Sequence, residues 1–180
     1  MNPMRDEAPQ PDVEFSGLYR TYAHELRRFA VFLSGNPALA DDLVSEAFVR
    51  AWSVRGRIEF STVRGYLFAI VRNLFLQQIR HERRRRPLDE RMIDERPGPE
   101  ARASEQDDLR VVLEALAALP EIDRAAVLMR ADDGLAYEEI ATALGISVAS
   151  AKVKVHRARL RLAEVLTAAR GAERIGEKRS

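Results

Sequence analysis

Apolar residues along this chain recur at steps of three and four, the period of one helical face. From Val13, the residues Phe15, Leu18, Tyr22, Leu26, Phe29 and Leu33 form one such stripe, and it stops at "SGNP". There Gly35 and Asn36 supply a C-terminal stop, and Pro37 suits a restart. A second stripe carries Leu39, Leu43, Ala47, either Phe48 or Val49, and Trp52, and ends near Arg55 and Gly56. A third follows Ser61 or Thr62, either of which can cap it, with Tyr66, Leu67, Ile70, Leu74 and Ile79 inward. Four further helices are predicted over about Gln106–Ala118, Ile122–Ala131, Tyr137–Leu144 and Val148–Ala168, punctuated by Pro120, Gly134 and Gly145.

Between the third and fourth helices the pattern breaks. "ERRRRPLDERMIDERPGPEARAS" contains Pro87, Pro97 and Pro99, has little periodicity and alternates in charge, which reads as a linker. The expected architecture is therefore all-α, with two small helical domains joined by a flexible linker. Its boundaries are a flexible tail over 1–12, a first domain over 13–86, a linker over 87–104, a second domain over 105–168 and a second flexible tail over 169–180.

Composition narrows the chemistry. The 180 residues include 9 Gly and 8 Pro, sparse enough to favour helices, and no Cys. Disulfides, thiolate metal sites and a cysteine nucleophile are excluded, and a reducing compartment fits. No apolar run reaches the ~20 residues of a bilayer crossing, and "MNPMRDEAPQPDVEF" has no apolar signal-peptide core. A cytoplasmic protein without membrane insertion is expected. The histidines His24, His81 and His156 are far apart, and "RADDGLAYEE" lacks the alternating oxygen ligands of a calcium loop. With no nucleotide-cradling glycine motif either, no metal, cofactor or catalytic residue is expected, and the chain is not read as an enzyme.

The net charge is only +1, yet bases are sorted onto one segment, "YEEIATALGISVASAKVKVHRARLRL". Gly145 can take the left-handed conformation that ends one helix, and Ser147 can cap the next. In that next helix Val148, Ala151, Val155, Ala158 and Leu162 face inward. The opposite face holds Ala149, Ser150, Val153, His156 and Arg157, with Lys152 and Lys154 on its flanks. Small residues that admit a close backbone approach, followed by bases for phosphates, are the pattern of a helix-turn-helix recognition helix. The plain alternative is a surface helix made basic for solubility.

Three separated motifs carry a resemblance. "DDLVSEAFVRAW" (41–52), "VRGYLFAIVRNLFLQQIR" (63–80) and "LPEIDRAAVLMRADDGLAYEEIATALGIS" (119–147) look like the signatures of bacterial sigma-70-family factors of the extracytoplasmic-function (ECF) type. The resemblance runs from about Phe15 to Leu162, the linker excepted. It implies a region 2 domain and a region 4 domain that bind core RNA polymerase and promoter DNA. It further implies that Asp41, Asp42, Glu46 and Arg50 dock on the beta-prime clamp helices, with the beta subunit also a partner, and that the linker threads through the polymerase. Arg64, Tyr66, Arg72, Asn73, Gln77 and Arg80 would serve the −10 element, together with the loop "GRIEFST" (56–62). The run Arg83–Arg86 at the end of the third helix would either lie along phosphates or form only a solvated terminus whose cations suit the helix dipole. Ala149, Ser150, Lys152, Val153, Lys154, His156 and Arg157 would serve the −35 element. An anti-sigma protein is a further implied partner.

Departures from the family pattern bear on specificity. Tyr66 stands where the family usually has Trp, and Gln77 where it often has Asp. In the recognition helix Val153 replaces the usual Ser and Lys154 the usual Arg. A lysine lacks the bidentate fork of arginine, so the −35 preference is expected to be shifted, and Lys154→Arg to alter it. A different reading of the same residues is a stand-alone helix-turn-helix regulator that acts without polymerase. It requires tight binding by the isolated protein, usually as a dimer, and no dimerisation helix is evident.

Overall fold

The structure is a computed structural model that describes residues 11–54, 63–85, 105–131 and 134–177, with the helix ends 11–15, 105–108 and 169–177 described by backbone alone. The described residues form seven helices: α1 (Pro11–Ser34), α2 (Pro37–Ser53), α3 (Val63–Arg85), α4 (Glu105–Ala117), α5 (Glu121–Met129), α6 (Tyr137–Leu144) and α7 (Val148–Glu177). The expected linker over 87–104, the loop "GRIEFST" and its candidate caps Ser61 and Thr62 lie outside the described residues. One boundary is corrected: α7 continues to Glu177, into the stretch expected to be a tail.

The α1–α2 hairpin is built by its two-residue link. Gly35 has φ 69°, a conformation disfavoured for side-chain-bearing residues, and its N–H reaches the Val31 carbonyl at 2.7 Å. The Asn36 side chain accepts from the Leu39 N–H at 3.1 Å, and Pro37 occupies the first turn, where no backbone donor is needed. So short a link makes the helices antiparallel neighbours. Arg27 accordingly meets Asp41 at 2.6 Å, and the rings of Tyr19 and Phe48 lie 4.8 Å apart. The alternative in the second stripe is resolved: Phe48 is buried, and Val49 is 63% exposed. Helix α3 closes this unit, with Phe68 against Phe29 at 4.8 Å between ring centroids.

In the second unit α4, α5 and α6 surround the first half of α7, which buries Ala151, Val155 and Ala158 as its period requires. The two glycines expected to break helices do so for different reasons. Gly145 ends α6 with φ 66° and ψ 38°. Gly134 sits so close to the end of α5 that a Cβ would fall 2.4 Å from the Met129 carbonyl oxygen.

The two units do not stand apart, as the expected tether had implied. Leu26, Phe29, Leu67 and Phe68 of the first belong to one continuous core with Ala125, Met129, Leu135 and Ile140 of the second. Helix α3 packs on α6, and α1 packs on α4 and α5. Gly65 eases the first contact: a Cβ there would already touch the Glu139 Cβ at 3.5 Å and the Leu135 side chain at 3.7 Å. Between α1, α3, α4, α5 and α7 the seam leaves an open cavity of about 430 Å³, lined by Phe29, Phe32, Phe68, Leu116, Leu128 and Leu162 among others.

Candidate nucleic-acid interface

The start of α7 is held by its turn. The Ser147 hydroxyl accepts from the Ser150 N–H at 3.1 Å, so the expected cap is made. The Glu139 carboxylate accepts from the Ala136 N–H at 2.7 Å at the head of α6. Alanine offers no acceptor in return, so this is half of a capping box. The Tyr137 ring of α6 meets a cation from either neighbour: Arg130, after α5, lies 5.0 Å from its ring centroid and Lys152 of α7 5.7 Å. On the outer surface of α7, Ala149, Lys152, Val153, His156 and Arg157 are exposed and Ser150 is half-buried. Val153 is 61% exposed, an apolar side chain presented to solvent in the middle of a basic face.

Lys154 does not belong to that face. Its ammonium lies 3.3 Å from Asp123 Oδ1, and the side chain is only 18% exposed. Arg157 grips the same carboxylate, donating from Nε to Oδ2 at 2.7 Å and from Nη2 to Oδ1 at 2.9 Å, yet stays 49% exposed. The expectation that Lys154 reads a base meets a competing contact: its cation is turned onto α5. The helical wheel placed Lys154 on the flank of the exposed face, and only the buried acid decided which way it leans.

On α3 the six candidate residues divide. Tyr66, Asn73, Gln77 and Arg80 are exposed, so Tyr66 does not join the inward stripe expected for it, and their separations of seven, four and three keep them on one face. The face continues into Arg83, Arg84 and Arg85, all exposed at the end of the helix, where cations suit its dipole. Arg64 and Arg72 point elsewhere. Arg64 pairs with Glu25 of α1 through two hydrogen bonds, and that carboxylate raises the guanidinium's pKa further above its ordinary range. Arg72 donates to both oxygens of Glu121 on α5, at 2.7 and 2.8 Å. Tyr66 overlooks a groove of about 400 Å³ between α3 and α6, lined by Glu138, Glu139 and Thr142.

On α2 the expected row is exposed, but its members differ. Asp41 is taken by Arg27 of α1, and Glu46 holds Arg50 at 2.8 Å one turn away. Asp42, Glu46 and Arg50 flank Val49, giving an exposed face with an apolar centre and an acidic edge.

Sequence reasoning missed the acids that hold this arrangement: Glu25, Glu121 and Asp123. For Asp123 a signal existed, because it occupies the inward phase of α5 with Ala126 and Val127, and it is fully buried. A charge on the apolar side of a helix requires a partner. For Glu121 and Glu25 the partners lie 49 and 39 residues away, and local pattern carries no trace of them.

Two family profiles match the chain, the Sigma-70 region 2 family over residues 18–85 and the Sigma-70 region 4 family over 109–162. The chain is 34% identical over 166 residues to the ECF RNA polymerase sigma factor SigE of Mycolicibacterium smegmatis, covering 89% of this chain and 64% of that one. It is 35% identical over 148 residues to the ECF RNA polymerase sigma factor EcfG of Rhodopseudomonas palustris, covering 78% of each. Among solved structures, the sigma factor RpoE in complex with the anti-sigma factor NepR from Bartonella quintana superposes with a TM-score of 0.69 at 28% identity, over 86% of this chain and 97% of that one. The fold is also that of CnrH, with a TM-score of 0.63 at 24% identity, over 87% and 90% of the two chains.

Proposed function

This chain belongs to the sigma-70 family of RNA polymerase sigma factors, among its ECF members, and from that premise we propose that it binds core RNA polymerase and directs promoter-specific initiation. In this reading the first unit, α1–α3, engages polymerase and the −10 element, and the second, α4–α7, reads the −35 element. The carrying observation is that one chain presents both a capped, basic helix-turn-helix face on α7 and a separate polar and basic stripe on α3. A stand-alone regulator needs only the first of these. Family members are initiation factors rather than enzymes, and RNA synthesis belongs to the polymerase. Since template and polymerase are in the cytoplasm, so is the proposed site of action.

Within the first unit, the α2 face around Asp42, Glu46 and Val49 is the proposed contact for the beta-prime clamp helices. Its acidic edge can fix the register of a basic helix, and Val49 supplies buried apolar area. Tyr66, Asn73, Gln77 and Arg80 are the proposed −10 contacts. A base drawn out of the stack needs a ring to lie on and polar edges to pair with, and this stripe offers both. On α7, Ala149, Ser150, Val153 and His156 are placed toward base edges, and Lys152 and Arg157 toward phosphates.

The packed arrangement of the units is proposed as the form of the protein away from polymerase. The −10 and −35 elements are separated by roughly 25 base pairs, or about 85 Å at 3.4 Å per step. A compact chain of this length has a radius of gyration of about 16 Å, so one packed particle cannot reach both. The ~19 residues from Arg86 to Ser104 can extend to about 65 Å, which lets the units part without breaking either. An anti-sigma protein that holds the closed form is the corresponding proposed partner, supported by the likeness to the RpoE–NepR complex.

The test is run-off transcription from a library of randomised promoters by core polymerase, with and without this protein. Transcripts that appear only on its addition and share two spaced elements establish the reading. Duplex binding by the protein alone, with no redirected polymerase, would bring the stand-alone regulator forward.

A further inference from the structure

Helix α7 must be held at one rotation and one depth if the same side chains are to meet the same bases, and its apolar contacts do this poorly. The residues it buries fully are Ala151, Val155 and Ala158, small side chains that let helices approach closely but interlock little, with the larger Val148 and Leu162 only partly buried at either end. Beside that stripe stands Asp123. It lies in the first turn of α5, where an acid suits the helix dipole, and its side chain is 0% exposed. The carboxylate is met by two cations one turn apart on α7, Lys154 at 3.3 Å and Arg157 through Nε and Nη2.

We propose that Asp123 is a positioning residue for −35 recognition: buried beneath α7, it clamps Lys154 and Arg157 and thereby fixes the recognition helix and orients the exposed part of the Arg157 guanidinium toward DNA. The proposal rests on the reading of α7 as the −35 helix. Three features of the clamp support it. A planar fork on a carboxylate is directional, so it restrains rotation as well as distance. The two cations lie on α7 and the acid on α5, so sliding or rolling of α7 breaks the triad, whereas the alanines would tolerate it. Finally, the cluster of one acid and two bases keeps a net charge of +1, so a phosphate is still attracted to it.

The sign of the electrostatics separates positioning from simple charge. Removing the carboxylate leaves one more uncompensated positive charge near the DNA face. Coulomb attraction alone then predicts tighter binding to any duplex and unchanged discrimination between sequences. Loss of positioning predicts reduced discrimination with undiminished binding to unrelated duplex. Collapse of the second unit predicts loss of both.

The experiment uses the full-length protein with core polymerase on two promoters that share a −10 element and differ only in an intact or scrambled −35 element, together with duplex binding over a range of salt. The expected result for Asp123→Asn is a fall of roughly five- to tenfold in the intact-to-scrambled transcription ratio, as the base-facing residues of the loosened helix lose about one base contact's worth of discrimination. Binding to the scrambled duplex stays equal or rises. In the Arg157→Ala background the same substitution has a smaller further effect, because only the Lys154 half of the clamp remains to be lost. Should Asp123→Asn fail to fold, Arg157→Lys keeps the charge but removes the fork, and is expected to lower the ratio at an unchanged salt slope. An unchanged ratio in the folded Asp123→Asn protein overturns the proposal, as does an unchanged ratio in Arg157→Lys. A wild-type protein that does not distinguish the two promoters overturns the underlying −35 reading, and this proposal with it.

Discussion

Arg72 and Glu121 join the two units edge to edge: the guanidinium Nε and Nη2 of α3 donate to the two carboxylate oxygens of α5 at 2.7 and 2.8 Å, with the side chains 11% and 23% exposed. A bidentate, mostly buried pair of this kind is worth more than a surface salt bridge, on the order of 1–3 kcal/mol. It occupies an arginine of the helix proposed to serve the −10 element. Glu121→Gln is therefore expected to shift the protein toward the open form without unfolding either unit. The chain has no cysteine, so single cysteines placed at Ser45 and Arg159 allow clean spin labelling. The distance distribution between the labels should broaden and lengthen in Glu121→Gln, and an unaltered distribution would show that the pair is no latch.

Gly65 offers a second way to part the units. Its added Cβ would sit 3.5 Å from the Glu139 Cβ, an ordinary contact. Gly65→Ala should therefore be accommodated and gain about 0.5–1 kcal/mol from helix propensity. Gly65→Leu carries three carbons beyond that Cβ, at the rim of the groove that Gly65 itself lines; a longer label distance means that they wedge the helices apart, an unchanged one that the groove takes them up. Denaturant melts of the two variants, compared with the distances, distinguish wedging from loss of fold.

The glycines of the second unit should differ in how they fail. Gly134→Ala places a methyl group 2.4 Å from the Met129 carbonyl oxygen, and forced repacking of this kind costs about 1–3 kcal/mol. At Gly145 there is open space around the Cβ, and the cost is only that of a left-handed conformation, about 1–2 kcal/mol. Gly145→Asn, which tolerates that conformation, should recover most of the loss, whereas Gly134→Asn should recover none. Chemical denaturation of the four variants checks this.

Lys152 and Lys154 are near neighbours with opposite expected effects. Lys152 is exposed beside Tyr137, and Lys154 is turned onto Asp123. Lys152→Ala should lower the slope of log affinity against log salt by about 0.9, the signature of one phosphate contact, and leave sequence preference unchanged. Lys154→Arg should leave base preference unchanged as well, contrary to the expectation from the family pattern. A changed preference would place Lys154 back in the groove.

The α2 face predicts a separable defect. Val49 is 63% exposed next to Glu46, so Val49→Asp or Glu46→Lys should alter stability by no more than about 0.5 kcal/mol. Both should weaken binding to core polymerase at least tenfold, on the order of 1.4 kcal/mol. Promoter binding by the isolated second unit is no substitute readout; a competition assay for core polymerase with an unrelated sigma factor is.

Helix positions, the stop and restart at Gly35–Pro37, the turn at Gly145 and the inward stripe of α7 followed from spacing and capping, because each depends on residues within a turn or two of one another. The same locality made the family recognisable from contiguous motifs. It also explains where reading along the chain failed. Lys154 and Lys152 are indistinguishable as flanking bases until a buried Asp123, 31 residues from Lys154, claims one of them. Nothing local to Arg72 announces that Glu121, 49 residues on, will be placed beside it. The union of two units into one core has no periodic signature, because apolar faces that meet across units look the same as faces that meet within one. Local pattern sets which side chains turn inward; the partner they meet there is a matter of packing between distant segments, and here that packing pairs Lys154 and Arg72 with acids of α5.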